Sequence, residues 1–408
     1  MISIKANSRL LIFCIVSCFF FFISCIDPFK VEVEASKAYI IVDGTITNSE
    51  ERPIISIFET NESSNFKSSQ FTATISPKAN DVKPISKAKV KVIENESKTF
   101  QLFEIEPGYY QMPLGFEGKI GNTYKLIIEN SKGLIFESSV EKMLSVSTIN
   151  RIYDTFNSTG IKDRLAEGGK IPTNDVFIDF DDPAKDKNFY RWKWTSFEIQ
   201  NICETCKQGR YYREQSNLGP LGECKFDPNL ESNVIFDYTC DSFCWDIFLS
   251  TNLDIFSDIY TNGLPQKNKL IAQIPLFQSN PCLVVVEQFS LNPNAYRYLK
   301  LLQDQSINTG TLADTPPAPI KGNVINKNDP SQLILGYFTA SAKEESRYMM
   351  GRKNSRGAQP NGIFRYKNKR DYILEAPSII RPSIPLAICK SSLFRTPNSP
   401  KGWQFGIQ

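Results

Sequence analysis

The sequence contains no histidine among its 408 residues. This absence excludes Ser-His-Asp and Cys-His catalytic sets, histidine metal sites, and the side chain that titrates near neutral pH. Glycine-rich phosphate loops, Gly-x-Ser-x-Gly elbows and zincin signatures are missing as well. The formal net charge is only +3, so overall charge does not favour nucleic acid as a partner. We therefore predict a protein that is not an enzyme, with no catalytic residues, no cofactor and no metal.

A long apolar run is also missing. The apolar stretch over residues 10–23 follows Lys5 and Arg9 and ends at Ser24-Cys25, and it is shorter than the roughly 20 residues that span a bilayer. The end of this stretch resembles a bacterial lipobox. We predict a lipoprotein signal peptide over residues 1–24, a lipid on Cys25 and an anchor linker over residues 25–37; an ordinary signal peptide cut nearby is the alternative. The lipid would anchor the protein to a membrane without spanning it.

Alternation of apolar and polar residues dominates from Tyr39 onward and predicts β-strands. Residues 88–92, for example, alternate apolar side chains with lysines, and Asp43-Gly44 and Pro107-Gly108 are typical turn sequences. Six to eight short strands with such spacing predict an immunoglobulin-like or transthyretin-like β-sandwich over residues 38–145.

Residues 146–408 form a larger predicted domain that is also rich in strands, so the fold class is mainly β. One helix is predicted at about residues 294–305, because Pro293 precedes a run with apolar residues on one face. Residues 189–194 alternate aromatic and basic side chains. The aspartates between residues 175 and 186 fit turn chemistry better than a Ca²⁺ site, which stays the alternative.

Seven cysteines follow Cys25, and five of them lie in a cysteine-rich insert over residues 200–245. Outside the cytoplasm such clustering favours disulfides, which stabilise a stretch with few apolar residues. A Cys₄ zinc site is an alternative. A thioredoxin-like redox role for Cys203 and Cys206 is disfavoured, because the surrounding sequence lacks the βαβ pattern that this motif requires. The odd number leaves at least one thiol unpaired. The disulfide candidates are Cys203, Cys206, Cys224, Cys240, Cys244, Cys282 and Cys389.

A basic segment over residues 343–370 contains nine lysines and arginines against two glutamates, with aromatic residues interleaved. This mixture binds anionic and planar groups. We favour a solvated hairpin without a binding role; the alternative is a binding surface for an envelope glycolipid or the acidic loop of a partner rather than for nucleic acid. Under this alternative, the candidate binding residues are Arg352, Lys353, Arg356, Arg365, Tyr366 and Lys367.

Short motifs along nearly the whole chain resemble domain-of-unknown-function family 4249. They are CIDPF (25–29), VDGTI (42–46), GYY (108–110), GNTYKL (121–126), NFYRW (188–192), CW (244–245), YRYL (296–299), PP (316–317), GN (322–323) and LGYFTAS (335–341). The resemblance implies a Bacteroidota outer-membrane lipoprotein that is encoded beside a TonB-dependent receptor. It implies no chemistry, and the second cysteine that members often carry close to the position of Cys389 is missing here.

We therefore predict an outer-membrane lipoprotein that is a non-catalytic accessory or substrate-capturing partner of a TonB-dependent transporter. Its partners would be the outer membrane, through the lipid, the receptor and an unidentified solute. Segments 200–245 and 343–370 are the predicted contact surface. Two alternatives stay open: a surface adhesin or envelope-assembly scaffold, and an enzyme with a carboxylate-based site.

Overall fold

The computed structural model describes residues 38–61, 82–162, 169–213, 222–307, 319–355, 358, 371–377, 379 and 382–406. The predicted signal peptide, Cys25 and the anchor linker lie outside the described residues. Within these ranges the protein is mainly β with one α-helix, as predicted. No helix in the described part of the chain has the length and apolar character needed to cross a membrane.

The secondary structure of the described residues consists of 26 strands, one α-helix and a short 3₁₀ helix. The elements of the first part of the chain are β1 (Ile40–Ile46), β2 (Ile54–Thr60), β3 (Val82–Pro84), β4 (Lys89–Glu94), β5 (Lys98–Gln101), β6 (Phe103–Glu106), β7 (Tyr109–Gln111), β8 (Thr123–Glu129), β9 (Ile135–Ser138) and β10 (Glu141–Lys142). Those that follow are β11 (Ile149–Lys162), β12 (Lys170–Asp181), β13 (Phe189–Ile199), β14 (Ile202–Cys206), β15 (Arg210–Arg213), β16 (Glu223–Phe226), β17 (Phe236–Thr239), β18 (Trp245–Leu249), β19 (Asp254–Ser257), β20 (Pro265–Pro275), β21 (Cys282–Leu291), α1 (Pro293–Ile307), β22 (Val324–Asn326), β23 (Ile334–Leu335), β24 (Phe338–Ala340), β25 (Lys343–Met350), the 3₁₀ helix Lys353–Ser355 and β26 (Arg395–Thr396).

Two sheets share the first hydrophobic core. One contains β1, β2, β3, β6 and β7, and the other contains β4, β5, β8, β9 and β10. Alternate residues of each sheet point inward, so Val42 and Ile55 of the first sheet join Val92 and Leu126 of the second in one buried cluster. The immunoglobulin-like or transthyretin-like form of this unit stays a prediction.

Three strands from the second half of the chain complete these two sheets. β23 and β24 pair in parallel with β1, and β22 pairs antiparallel with β9. The first core accordingly includes Val324, Ile334 and Phe338. The boundary predicted at residue 145 therefore does not delimit the folded unit, because pairing between strands distant in sequence is invisible to local patterns.

A second core lies between two further sheets. β12 pairs with both β11 and β20, and a six-stranded sheet has the order β25-β21-β13-β18-β26, with β19 also paired to β13. Tyr190 and Trp192 of β13 are buried against Ile178 and Phe180 of β12. The intervening residues of β13 point to the opposite face of the sheet, since strand side chains alternate. That opposite face positions the site described below.

The predicted turn at Asp43-Gly44 is wrong, because both residues lie inside the continuous strand β1. Glycine is required there by close packing: a Cβ on Gly44 would lie 2.2 Å from Cδ1 of Ile55 on the neighbouring strand. The pair therefore has a structural reason other than a turn, and Asp43 presents its side chain on the face of β1 away from the core.

The predicted helix is present as α1. Asn292 caps it, since its Oδ1 accepts a hydrogen bond from the Ala295 amide at 2.8 Å, and Pro293 occupies the first turn. Tyr296 packs on Phe189 of β13 with ring centroids 4.7 Å apart. This contact fixes the helix on the face of the six-stranded sheet that carries Arg191.

A charged cleft as the candidate functional site

The floor of the site is formed by two rows of side chains across the six-stranded sheet. Cross-strand partners share a face, and the register places Arg191, Phe289 and Lys343 in one row. The next row contains Lys193, Glu287 and Glu345. Charged residues therefore occupy positions on three neighbouring strands, β13, β21 and β25, opposite the face that packs on the second core.

Asp43 of β1 faces these rows from the first sheet. Solvent reaches its side chain, yet loss of hydration to the surrounding protein raises its pKa, an effect that Arg191 and Lys193 partly oppose. The Asp43 side chain therefore lies between β1 and the sheet face that carries Arg191 and Lys193. We call the space bounded by Asp43, Arg191, Lys193, Glu287 and Tyr298 the charged cleft.

Two basic groups line the charged cleft side by side on β13. Burial lowers the pKa of Arg191, although Asp43 and Glu287 oppose the effect. The pKa of Lys193 is lowered from 10.5 to about 8, chiefly by the positive charge of Arg191 and then by burial. The Lys193 ammonium also lies 5.5 Å from the ring centroid of Phe289. The two cations therefore repel each other in a poorly hydrated space.

Lys343 forms ion pairs with three carboxylates at one end of the cleft. Its Nζ lies 2.8 Å from Glu287, 3.3 Å from Glu51 and 3.4 Å from Glu345. Burial lowers the pKa of Lys343, but these carboxylates outweigh burial and raise it overall. Glu345 also forms an ion pair with Arg347. Glu287 and Glu345 are thus engaged within the protein, in contrast to Asp43.

Tyr298 of α1 forms the wall beside Asp43. Burial and the charge of Asp43 raise the pKa of the Tyr298 hydroxyl, which accepts a hydrogen bond from the Gly336 amide. Its ring packs against Tyr337 at a centroid distance of 4.9 Å. Gly336 itself passes close to β1, where it has a φ of +85° and a Cβ would lie 2.1 Å from the Val42 carbonyl oxygen.

The charged cleft is suited to binding a polar molecule. In the described residues, neither the Asp43 carboxylate nor the Lys193 ammonium has an ion-pair partner within 4.0 Å, although each shifts the pKa of the other. These two charges are therefore available to polar groups of a bound molecule. The motifs VDGTI, NFYRW, YRYL and LGYFTAS, far apart in the sequence, meet here through Asp43, Arg191, Tyr298 and Gly336.

This site could not be predicted from local sequence patterns, because its residues lie on strands and a helix separated by up to about 300 positions. The alternation of aromatic and basic residues over 189–194 was the available signal. Trp192 and Tyr190 face the second core, and this leaves Arg191 and Lys193 on the opposite face. Asp43 gave no signal of its own, since the glycine after it favoured a turn.

The predicted binding residue Arg352 is placed differently from expectation. Its side chain is 0% exposed and forms a two-pronged ion pair with Glu198, which is 1% exposed. Its NH1 also donates to the carbonyls of Gln278 at 2.9 Å and Asn280 at 3.0 Å. Arg352 therefore has a structural role, and the basic composition of its segment concealed a buried partner. Lys353 is exposed, while Arg356, Arg365, Tyr366 and Lys367 lie outside the described residues.

Six of the seven candidate cysteines form disulfides in the structure, namely Cys203–Cys240, Cys206–Cys224 and Cys244–Cys389. Together with Tyr212, Tyr238 and Ala387 they make a small core of their own. Cys282 is the exception to the disulfide prediction: it is a buried free thiol on β21, and burial raises its pKa.

The zinc alternative is tested by the same cysteines. The sulfurs of Cys203, Cys240 and Cys244 lie within 4.8 Å of one another, but each is bonded in a disulfide. A disulfide sulfur is not a thiolate ligand. The set therefore fits covalent cross-linking and does not fit a Cys₄ zinc site.

The aspartates of residues 175–186 accept hydrogen bonds from separate donors. Asp182 accepts from the Tyr190 hydroxyl at 2.6 Å and the Gly263 amide at 3.0 Å. Asp179 accepts from the Asn268 amide at 2.8 Å. Within the described ranges no three carboxylates converge as cation ligands, so these side chains fit local hydrogen bonding.

Comparison with known proteins gives one match. A family model described as a domain of unknown function (DUF4249) matches residues 26–347, which is more than half of the chain and is the family to which the sequence motifs pointed. Among curated proteins and among solved structures, nothing matches.

Proposed function

The chain belongs to the DUF4249 family, which has no assigned function, and we propose that it is a solute-capturing, non-catalytic accessory protein of a TonB-dependent transporter. A lipid on Cys25 anchors it in the outer membrane. The observation that carries this proposal is the charged cleft, in which Asp43 and Lys193 face a common space without pairing. A binding protein needs such a concave site with a few polar groups placed for contact.

The disulfides support a location outside the cytoplasm. Three disulfides hold residues 203–244 and the tail at Cys389 together, and disulfides persist in oxidising compartments. Residues 1–24 have the pattern of a lipoprotein signal peptide and end at Cys25. The partnership with a TonB-dependent receptor is drawn from the family resemblance alone.

The cleft favours binding over carboxylate-based catalysis. Hydrolysis of a glycosidic bond, for example, requires two carboxyl groups that flank the reacting bond. Glu287 and Glu345 are held by Lys343, which leaves Asp43 as the carboxylate without an ion pair among the described cleft residues. One carboxylate beside two cations suits recognition of a ligand.

Affinity purification tests the proposal. Tagged protein is isolated from solubilised outer membranes of the native host, and uptake by the neighbouring receptor is measured in a deletion strain complemented with wild type, Lys193→Gln or Cys25→Ser. We expect a β-barrel receptor to co-purify with wild type and with Lys193→Gln, while uptake is restored by wild type alone.

The control is Lys132→Gln, which removes a lysine from an exposed turn outside the cleft and should restore uptake fully. If no receptor co-purifies and deletion leaves uptake unchanged, the adhesin or scaffold function replaces this one.

A further inference from the structure

We propose that one edge of the six-stranded sheet binds the surface of a lipid bilayer that contains anionic lipids. The contact consists of four aromatic residues, Phe243, Phe394, Trp403 and Phe405, which we call the aromatic edge. The inference rests on the proposed function in taking the protein to be held at a membrane by a lipid on Cys25. It adds a second contact, which orients the anchored protein on the bilayer.

Strand pairing at this edge places apolar side chains on one face of the sheet. β26 is the last strand in the sheet order and pairs with β18, so that Trp245 lies opposite Thr396. Two positions further along β18, the Ile247 amide donates to the Phe394 carbonyl at 2.8 Å. Because alternate residues of a strand share a face, Trp245, Ile247 and Phe394 lie on the same side. Phe394 therefore adjoins Trp245.

The other three members of the aromatic edge pack around Trp245. The ring centroid of Trp245 lies 5.6 Å from that of Trp403 and 5.9 Å from that of Phe243. The rings of Phe243 and Phe405 are 5.1 Å apart. Trp245 itself is buried. The aromatic edge is thus one patch around a buried indole.

Three phenylalanines of the aromatic edge are more than half exposed. The exposed fractions are 58% for Phe243, 62% for Phe394 and 59% for Phe405, and Leu393 beside Phe394 is 76% exposed. Apolar side chains gathered in one exposed patch mark a surface that contacts a protein or a membrane. The aromatic edge is therefore an interaction surface, and its charge and shape select the partner.

The charge near the aromatic edge favours an anionic lipid surface. Residues 376–408 contain four lysines and arginines and no acidic residue. Two of these cations, Lys390 and Arg395, form ion pairs within the protein. Lys401 is exposed, forms no ion pair with another described residue and stands two positions before Trp403. A lysine beside exposed aromatic residues is typical of segments that bind the interface of an anionic bilayer.

The shape of the aromatic edge favours a fluid partner. Leu393 and Phe394 stand at the tip of a turn that a backbone hydrogen bond of 2.9 Å closes. The rings of Phe243 and Phe405 are inclined to each other by 50°, so they do not form a flat platform for a planar ligand. The interfacial layer of a bilayer adapts to side chains that project at different angles, whereas a protein partner needs a matching pocket for each anchor.

The predicted anchor permits this contact. The linker over residues 25–37 contains 13 residues and can span at most about 45 Å. Attachment at one point does not fix which side of a protein faces the bilayer. The aromatic edge supplies the second point, and with it the direction in which the charged cleft opens is defined.

The test measures binding of the lipid-free mature chain to vesicles that contain no protein. Residues 25–408 with Cys25→Ser are exported behind an ordinary signal peptide, so that binding reports the protein surface and not the lipid. Sedimentation with sucrose-loaded vesicles gives the bound fraction. Vesicles with equal parts of phosphatidylglycerol and phosphatidylcholine should be bound at least about fivefold more tightly than phosphatidylcholine alone, because one lysine near an anionic surface contributes about that factor.

Phe405→Ser is the decisive variant, and Phe103→Ser is its matched control. Both phenylalanines are 59% exposed, but Phe103 lies on β6 of the first sheet. Phe405→Ser should weaken binding to the anionic vesicles about tenfold, since burial of the exposed part of the ring contributes that much affinity. Phe103→Ser should bind as wild type does. Phe394→Ser should also weaken binding about tenfold.

Lys401→Gln tests the contribution of charge. Its binding to the anionic vesicles should fall about fivefold, while its binding to phosphatidylcholine alone should not change. Lys132→Gln, on an exposed turn elsewhere, is the control and should leave both unchanged. Circular dichroism and the urea midpoint establish that the variants fold. If Phe405→Ser does not fold, Phe394→Ser decides.

Three outcomes would overturn the assignment: wild type that does not bind the anionic vesicles, equal binding by Phe405→Ser and Phe103→Ser, or binding that depends neither on phosphatidylglycerol nor on Lys401. If vesicles are not bound but Phe405→Ser abolishes co-purification of the receptor, the aromatic edge is a protein contact and the inference fails.

The proposed function is judged separately from this inference. If vesicles are not bound while a receptor co-purifies and uptake depends on the protein, the proposed function stands and the bilayer contact fails. If the aromatic edge binds vesicles but no receptor co-purifies and deletion leaves uptake unchanged, the bilayer contact stands and the proposed function fails.

Discussion

Replacing Lys193 by methionine should stabilise the protein at neutral pH. The pKa of Lys193 is lowered from 10.5 to about 8, and each pH unit corresponds to about 1.4 kcal/mol. Keeping the ammonium charged in the folded state therefore costs about 3 kcal/mol relative to the unfolded chain. Because the folded-state pKa is the lower one, this cost is fully present below about pH 8 and disappears as the pH rises toward 10.5.

The assay is urea unfolding followed by tryptophan fluorescence, with wild type and Lys193→Met compared at several pH values. Methionine keeps a long apolar side chain beside Phe289, whose ring centroid lies 5.5 Å from the Lys193 Nζ, and it removes the charge next to Arg191. The gain in unfolding free energy should fall from about 3 kcal/mol near pH 7 to about 1 kcal/mol near pH 9.5. Lys132→Met on an exposed turn controls for removal of a lysine elsewhere. A variant no more stable than wild type near pH 7, or a gain that does not change with pH, would refute the reasoning.

Three further predictions concern the ion pair, the free thiol and the anchor. Arg352→Gln should lower the unfolding free energy by about 3–5 kcal/mol, because it leaves the buried Glu198 charge uncompensated. The control Lys353→Gln, at an exposed position, should change the unfolding free energy by less than about 0.5 kcal/mol. Similar urea midpoints for the two variants would contradict this prediction. Thiol titration should detect Cys282 only after denaturation, because the thiol is buried and burial raises its pKa; rapid reaction of the native protein would count against it. Cys25→Ser should abolish palmitate labelling and move the protein to the aqueous phase of a detergent split, and unchanged partitioning would disprove lipidation.

The sequence predicts those secondary-structure elements whose residue pattern is local. The alternation in β4 and the Asn292-Pro293 start of α1 identify a strand and a helix correctly. The charged cleft depends instead on residues of β1, β13 and α1 that lie far apart in the sequence, and nothing in a local window shows that the charges of Asp43 and Arg191 interact. The same limit explains why Arg352 was predicted to bind at the surface. A basic stretch predicts exposed side chains, and the partner Glu198 lies far away in the sequence.

The pairing of β22, β23 and β24 with the first sheets has a consequence for the order of folding. Strand β1 has its parallel neighbours only after residues 334–340 have been synthesised, and β9 receives β22 from residues 324–326. The unit that begins first is thus completed late, after nearly two hundred intervening residues. Such long-range pairing slows folding and keeps strand edges exposed in the growing chain. A fragment ending near residue 145 would lack these strands, so the first unit cannot be excised by cutting at the end of its first ten strands.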